Sequence, residues 1–185
     1  GTSSTGTLSS AEGNTGVGIG VFGALTSGDN NVAVGLNALD VNTTGSENVA
    51  VGMGALDTNT TGAGNISIGC GSMSANVSGN YNVAIGRCAL DTSVSGSANV
   101  AIGDRALYTN TASYNTSVGF FSLAANTTGE TNVAVGQNSL AANTTGARNT
   151  GIGQNALLVN TTGANNTAVG QGALEANTTA SDNAA

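Results

Sequence analysis

The chain has 185 residues, among them 29 Gly, no Pro, Trp or His, and 10 acidic against 3 basic side chains. The net charge of −7 excludes a nucleic-acid reader, because binding phosphates requires a basic surface. Charge is also too sparse for intrinsic disorder, and no stretch approaches the roughly 18 consecutive apolar residues of a membrane span.

An asparagine recurs every 17 residues along the chain, with a single spacing of 16 between Asn99 and Asn115. A fixed period of this length indicates a solenoid. We therefore predict a single repeat domain, 1–185, with partial coils at 1–13 and 183–185, and we number each unit from 1 to 17. Coils begin at Asn14, Asn31, Asn48, Asn65, Asn82, Asn99, Asn115, Asn132, Asn149 and Asn166.

Each unit predicts one turn of a parallel β-solenoid rather than a helix. Position 5 is always Gly, position 15 usually is, and β-branched residues cluster before position 5, which disfavours a helix. We expect a strand at positions 1 to 5, a shorter strand near positions 8 to 10, and turns at the Asn-Thr-Thr-Gly of positions 12 to 15. The fold class is therefore all-β, a β-roll of about ten coils with no helices, in which the asparagines of position 12 stack as a ladder.

Two apolar columns are predicted to fill the interior. Position 4 is Val or Ile in every coil and position 9 is Leu in most. The predicted core residues are Val34, Val51, Ile68, Ile85, Ile102 and Val135 at position 4, and Leu39, Leu56, Leu90, Leu107 and Leu140 at position 9.

The opposite face of the strand carries position 3, which is always Gly, Ala or Ser, while all charges fall at positions 6, 7, 10, 16 or 17. A strand apolar on both faces is usually covered on both faces. We therefore predict that position 3 forms a self-association face, the alternative being a bare face in solvent. Its predicted residues are Ala33, Ala50, Ser67, Ala84, Ala101, Ala134 and Ala168.

Bulky side chains gather around the shortened unit that starts at Asn99. Arginine and aromatic residues are enriched in binding hot spots, so this group is a candidate contact patch. The alternative is that the bulky side chains fill a gap left by the shortened turn. The patch residues are Arg87, Asp104, Arg105, Tyr108, Tyr114, Phe120 and Phe121.

Catalytic and metal chemistry is not expected. The sequence has no His or Lys to activate a Ser, Thr or Cys nucleophile, so we predict that the chain is not an enzyme and uses no cofactor. Asp40, Asp57 and Asp91 share position 10, but the column is not sustained, so we predict no metal site. Cys70 and Cys88 lie in adjacent coils, and the sequence leaves open whether they are bridged.

Two patterns of the turn segment allow other interpretations. Asn-x-Thr acceptors recur at position 12, and the sequence leaves open whether they carry glycans. Thr residues at positions 13 and 14, such as Thr43 and Thr44, form regular columns that would suit an ice-binding solenoid.

The motif Asn-Val-Ala-Val-Gly-x-x-Ala-Leu resembles the head repeats of trimeric autotransporter adhesins and similar repeats in tail fibres of phages and other viruses. It is carried by Asn31–Gly35, Asn48–Gly52, Asn82–Gly86, Asn99–Gly103 and Asn132–Gly136, and weaker copies extend it over nearly the whole chain. The resemblance implies a left-handed β-roll, a trimer and a location on a cell surface or virion appendage. This unit is somewhat longer than the family's.

From these observations we predict a structural, extracellular, fibre- or adhesin-like protein. It would assemble with itself as a lateral trimer, an end-to-end filament or both, because open solenoid ends are unpaired edges. A cell-surface glycan or receptor is a further expected partner. The alternative function is an ice-binding or carbohydrate-binding solenoid module.

Overall fold

The computed structural model describes residues 11–185, so most of the predicted partial coil 1–13 lies outside the described residues. Ten three-residue strands form one parallel sheet in which the spatial order follows the chain order. The strands are β1 (Thr15–Val17), β2 (Val32–Val34), β3 (Val49–Val51), β4 (Ile66–Ile68), β5 (Val83–Ile85), β6 (Val100–Ile102), β7 (Thr116–Val118), β8 (Val133–Val135), β9 (Thr150–Ile152) and β10 (Thr167–Val169).

Each strand pairs with the strand one repeat further along, position against identical position. Val32 lies beside Val49, and the N–H of Val32 donates to the carbonyl of Asn48 at 2.8 Å. The shortened coil keeps this register, since Val100 still lies beside Thr116. The prediction of an all-β stack of coils is confirmed, and residues 11–185 contain no helix, hence none that could cross a membrane.

In the coils of residues 11–185, the predicted second strand near positions 8 to 10 is absent. The backbone there turns, because positions 7 and 9 adopt a left-handed conformation, with φ of 56° at Asn37 and 52° at Leu39. Left-handed φ is uncommon for a side chain such as Leu and costs free energy. Bonds between coils compensate: the N–H of Leu39 still donates to the carbonyl of Ala55, in the next coil, at 3.1 Å.

The Leu column of position 9 is buried as predicted, but the position 4 column is not. The predicted core residues Val34, Val51, Ile68, Ile85, Ile102 and Val135 point outward, and most of them are at least 36% exposed. The strand therefore faces the interior with position 3, not with positions 2 and 4.

The narrowness of the coil explains this orientation. Position 3 faces position 8 across the interior, as the hydroxyl of Ser67 shows by donating to the carbonyl of Ser72 at 2.8 Å. Where position 9 is Phe22, position 3 is Gly16, and a methyl group added there would lie 3.1 Å from the ring. Only small side chains fit at position 3, on the side of the strand that faces the interior.

The prediction that position 3 forms a self-association face is therefore wrong. Its residues are fully buried within the chain's own core and cannot touch another copy: Ala33, Ala50, Ser67, Ala84, Ala101, Ala134 and Ala168. They are small because the interior is narrow, not because a sister molecule approaches closely.

Two columns of buried asparagines run along the stack beside the Leu column. At position 1, the Asn31 amide donates to Asn14 Oδ1 at 3.0 Å and to the Gly45 carbonyl at 2.9 Å. At position 12, the Asn59 amide donates to Asn42 Oδ1 at 2.9 Å, which confirms the predicted ladder. Each coil is thus tied to the next by side-chain amides as well as by backbone bonds.

Candidate interaction surfaces

The outward side of the ten-stranded sheet is a flat apolar surface, formed by positions 2 and 4 and here called the flat face. Val and Ile dominate it, with Thr at four of the position 2 sites and no charged residue. Its side chains project because their neighbour at position 3 fills the core. Ile68 and Ile85 are 37% and 36% exposed, and Val169 at the last strand reaches 59%.

The flat face has the size of the largest apolar patch that a typical soluble protein exposes. Ten strands at about 4.8 Å spacing and three residues of about 3.3 Å each give roughly 430 Å². The largest apolar patch on a typical monomer covers about 300–600 Å² and is often functional. Position 6 adds exposed apolar side chains at the adjoining corner, including Leu36, Met53 and Phe120.

Most of the predicted contact patch comes together at the corner formed by positions 6, 7 and 10. Arg87 and Asp104 form a two-pronged ion pair, with Nη2 2.9 Å from Oδ2 and Nε 3.1 Å from the same oxygen. This partner raises the pKa of the Arg87 guanidinium further, first through the hydrogen bond and then through the charge of Asp104.

The next two coils supply aromatic rings to the same corner. The guanidinium carbon of Arg105 lies 5.3 Å from the centre of the Phe121 ring and 5.9 Å from that of Tyr108. Phe120 and Phe121 contact each other, with ring centres 4.6 Å apart. We call the residues Arg105, Tyr108, Phe120 and Phe121 the ridge.

Tyr114 does not join this group. It lies at position 17, is 65% exposed, and within residues 11–185 it makes no ring or charge contact with the ridge. The shortened turn is also elsewhere: Ala112 takes the place of the position 15 Gly, and its carbonyl accepts from the amides of Asn99 and Asn110 at 2.9 and 2.8 Å. The ridge therefore does not fill the gap of the shortened turn.

A shallow groove of about 310 Å³ lies at the same corner, three to four coils before the ridge. It exists because position 7 is Gly in two successive coils, at Gly54 and Gly71, which leaves the backbone uncovered. Leu36 and Met53 line one side, and Asp57 lines the other. The groove was not predicted from the sequence, although the visible signal was that Gly54 and Gly71 are the only glycines of position 7 that occur in two successive coils among Gly20, Gly54, Gly71 and Gly172.

Asp57 is the charged group of the groove. Burial and, secondarily, the carboxylate of Asp40 raise its pKa above the ordinary value of 3.8. Ser74 at the far end donates its hydroxyl to Asp91. Within residues 11–185 no metal-binding cluster forms around these carboxylates.

The two cysteines are free thiols in adjacent coils, which resolves the alternative left by the sequence. Cys88 donates its backbone N–H to the Cys70 carbonyl at 3.0 Å. Burial raises the pKa of the Cys88 thiol first, and the nearby Asp91 adds to the increase.

The turn segment forms neither the complete pair of exposed threonine columns expected of an ice-binding surface nor a column of exposed glycan acceptors. The threonine hydroxyls of position 13 donate hydrogen bonds to the next coil, as Thr43 Oγ1 does to the carbonyl of Thr60 at 2.9 Å. Only the threonines of position 14 therefore form a freely exposed column. Six of the Asn-x-Ser/Thr asparagines of position 12 are fully buried and hydrogen-bonded, which leaves them no access for a glycan in the folded chain, whereas Asn177 in the last coil is half-buried. The six are Asn42, Asn59, Asn76, Asn126, Asn143 and Asn160.

Comparisons of this chain with protein-family models, with curated proteins and with solved structures found no match.

Proposed function

We propose that this chain is a structural module of an extracellular fibre or adhesin, and that it assembles laterally with sister copies through the flat face. The observation that supports the proposal is the unbroken, uncharged array of outward Val, Ile and Thr side chains on all ten strands. Packing this surface against another copy removes apolar area from water at about 25 cal/mol per Å².

The regularity of the stack suits such an assembly. Every coil presents the same two outward positions, so contacts between two rods repeat at every coil along their shared length. The sequence motif that resembles adhesin heads implies three rods around an axis, and we adopt the trimer as the expected number.

The proposal is tested by placing a charge in the middle of the flat face. Ile85→Lys is an outward substitution that leaves the interior unchanged, and it would bury an unpaired ammonium group in any flat-face contact, which is costly. We expect the wild-type chain to sediment as a trimer or a larger assembly built from trimers, and Ile85→Lys to sediment as species smaller than a trimer with the same circular dichroism spectrum.

The matched control is Thr61→Lys, which adds the same charge at an exposed site of position 14, away from the flat face. It should leave the sedimentation of the trimer unchanged. A wild-type chain that is monomeric at high micromolar concentration, or an Ile85→Lys variant that assembles like wild type, would refute the proposal.

A further inference from the structure

The ridge carries a cation without an anion. In the described part of the chain, the Arg105 guanidinium makes no hydrogen bond or ion pair, and it rests on the faces of Tyr108 and Phe121. Its neighbour Arg87 differs, because Asp104 neutralises it. Arg105 therefore presents five unused donors on an apolar platform, a combination typical of binding hot spots.

The groove carries the opposite charge, equally unpaired. Among residues 11–185, no cation contacts the carboxylate of Asp57, which is half-buried beside the apolar side chains of Leu36 and Met53. Asp40, one coil away in the same column, adds a second negative charge. An arginine that brings aromatic rings with it matches both the charge and the apolar lining of this groove.

We propose that two copies of this chain pair antiparallel along the corner of positions 6, 7 and 10, each inserting its ridge into the groove of the other. The ridge centre lies about three and a half coils beyond the groove centre, or roughly 17 Å along the rod. A twofold axis between the coils that begin at Asn65 and Asn82 then sets Arg105 opposite Asp57 of the second copy. The same rotation sets Phe120 and Phe121 opposite Leu36 and places Met53 in the coil that faces Arg105.

The antiparallel arrangement is favoured over a parallel, staggered one by the number of contacts. A twofold contact is self-complementary, so each pair of chains forms two ridge-to-groove contacts. A parallel pair shifted by the same distance forms only one. The corner pair uses residues outside the flat face, and therefore it does not depend on the proposed lateral assembly.

The test uses Ile85→Lys as the background, so that flat-face assembly does not mask the corner contact. We expect this variant to sediment as a dimer, and charge reversal by Arg105→Glu or by Asp57→Arg to weaken the dimer at least about tenfold. Combining the two reversals should restore it, because the exchanged charges again face each other. Arg148→Glu is the matched control, since Arg148 is an exposed arginine at position 17, and it should leave the dimer unchanged.

A monomeric Ile85→Lys chain, a double reversal that does not regain the dimer, or equal weakening by Arg148→Glu would overturn the proposal. Orientation is measured separately, which also covers the case in which Asp57→Arg does not fold. In an Ile85→Lys chain that also carries Cys70→Ser, Cys88→Ser and Glu175→Cys, spin labels at position 175 of the two copies should lie about 50 Å apart along the rod. A separation of about 17 Å would show the parallel, staggered pair and overturn the antiparallel one.

Discussion

The side-chain amides of positions 1 and 12 hold neighbouring coils together from inside the stack. A buried asparagine of position 12 donates both to the preceding coil and within its own turn. Asn76, for example, donates to Asn59 Oδ1 at 2.7 Å and to the Gly79 carbonyl at 3.2 Å. Buried polar groups are tolerated only when they are hydrogen-bonded in this way. Ladders of this kind explain how a chain with so few bulky apolar residues maintains a core.

Ser93 interrupts the position 12 ladder. Its side chain is too short to reach the neighbouring amides, and its Oγ is the one buried side-chain polar atom without a partner among residues 11–185. We expect Ser93→Asn to restore two hydrogen bonds and to stabilise the chain by about 1–2 kcal/mol, raising the melting temperature by roughly 2–6 °C. Thermal unfolding followed by circular dichroism measures this increase.

Ser95→Asn provides the control for that substitution, because Ser95 lies at exposed position 14, where a new amide gains nothing but water. An unchanged or lowered melting temperature in Ser93→Asn would show that the gap at Ser93 does not accept the longer side chain.

The raised pKa of Asp57 predicts that the stability of the folded chain depends on pH. Since burial and Asp40 raise its pKa above 3.8 in the folded chain, the ionised carboxylate destabilises the fold at neutral pH and ceases to do so once it is protonated. Asp57→Asn should therefore stabilise the chain at pH 7, by less than about 1 kcal/mol because solvent screens the partly exposed group. The difference from wild type should vanish below pH 3.8, and unfolding curves at both pH values test this; a gain that persists in acid would contradict it.

At the scale of the element, each coil depends on a glycine at the corner that follows its strand. At Gly86 the φ angle is 138°, and a methyl group added there would lie 2.4 Å from the carbonyl oxygen of Gly103 in the next coil. Backbone in this region is open essentially to Gly alone. The corner therefore brings successive coils closer than any side chain would allow.

We expect Gly86→Ala to destabilise the chain by at least about 3 kcal/mol, from the combined backbone strain and overlap. Gly54→Ala is its matched control: φ is 64°, nothing lies within 4 Å of the added methyl, and other coils place side chains at this position. Its cost should be only about 1 kcal/mol. Denaturant unfolding distinguishes the two, and equal losses would contradict the contact argument.

At the scale of the whole molecule, stacking turns small local preferences into long surfaces. A single coil exposes two β-branched side chains, whereas ten coils in register expose the flat face. The same stacking puts deviations of single coils side by side, so that two successive glycines form a groove and the four bulky residues of two neighbouring coils form the ridge. The test of the flat face by Ile85→Lys belongs to this scale, because a charge at one coil interrupts a surface shared by all of them.

The repeat, the number of coils, the β-solenoid, the Leu column of position 9 and the asparagine ladder of position 12 were all predictable from the sequence. These features follow from periodicity, turn chemistry and the identity of side chains that recur at one position, and none of them requires knowledge of how wide the interior is.

The side of the strand that faces inward could not be predicted from the sequence and is seen only in the folded chain. Alternation along a strand shows that positions 2 and 4 share one face and position 3 the other, but it does not orient the strand when neither face is charged. The orientation follows from the width of the coil. The opposing turn leaves room for a side chain the size of Ala33 but not for one the size of Val34, so the larger side chains face outward. The flat face, the groove and the ridge all follow from that constraint on space.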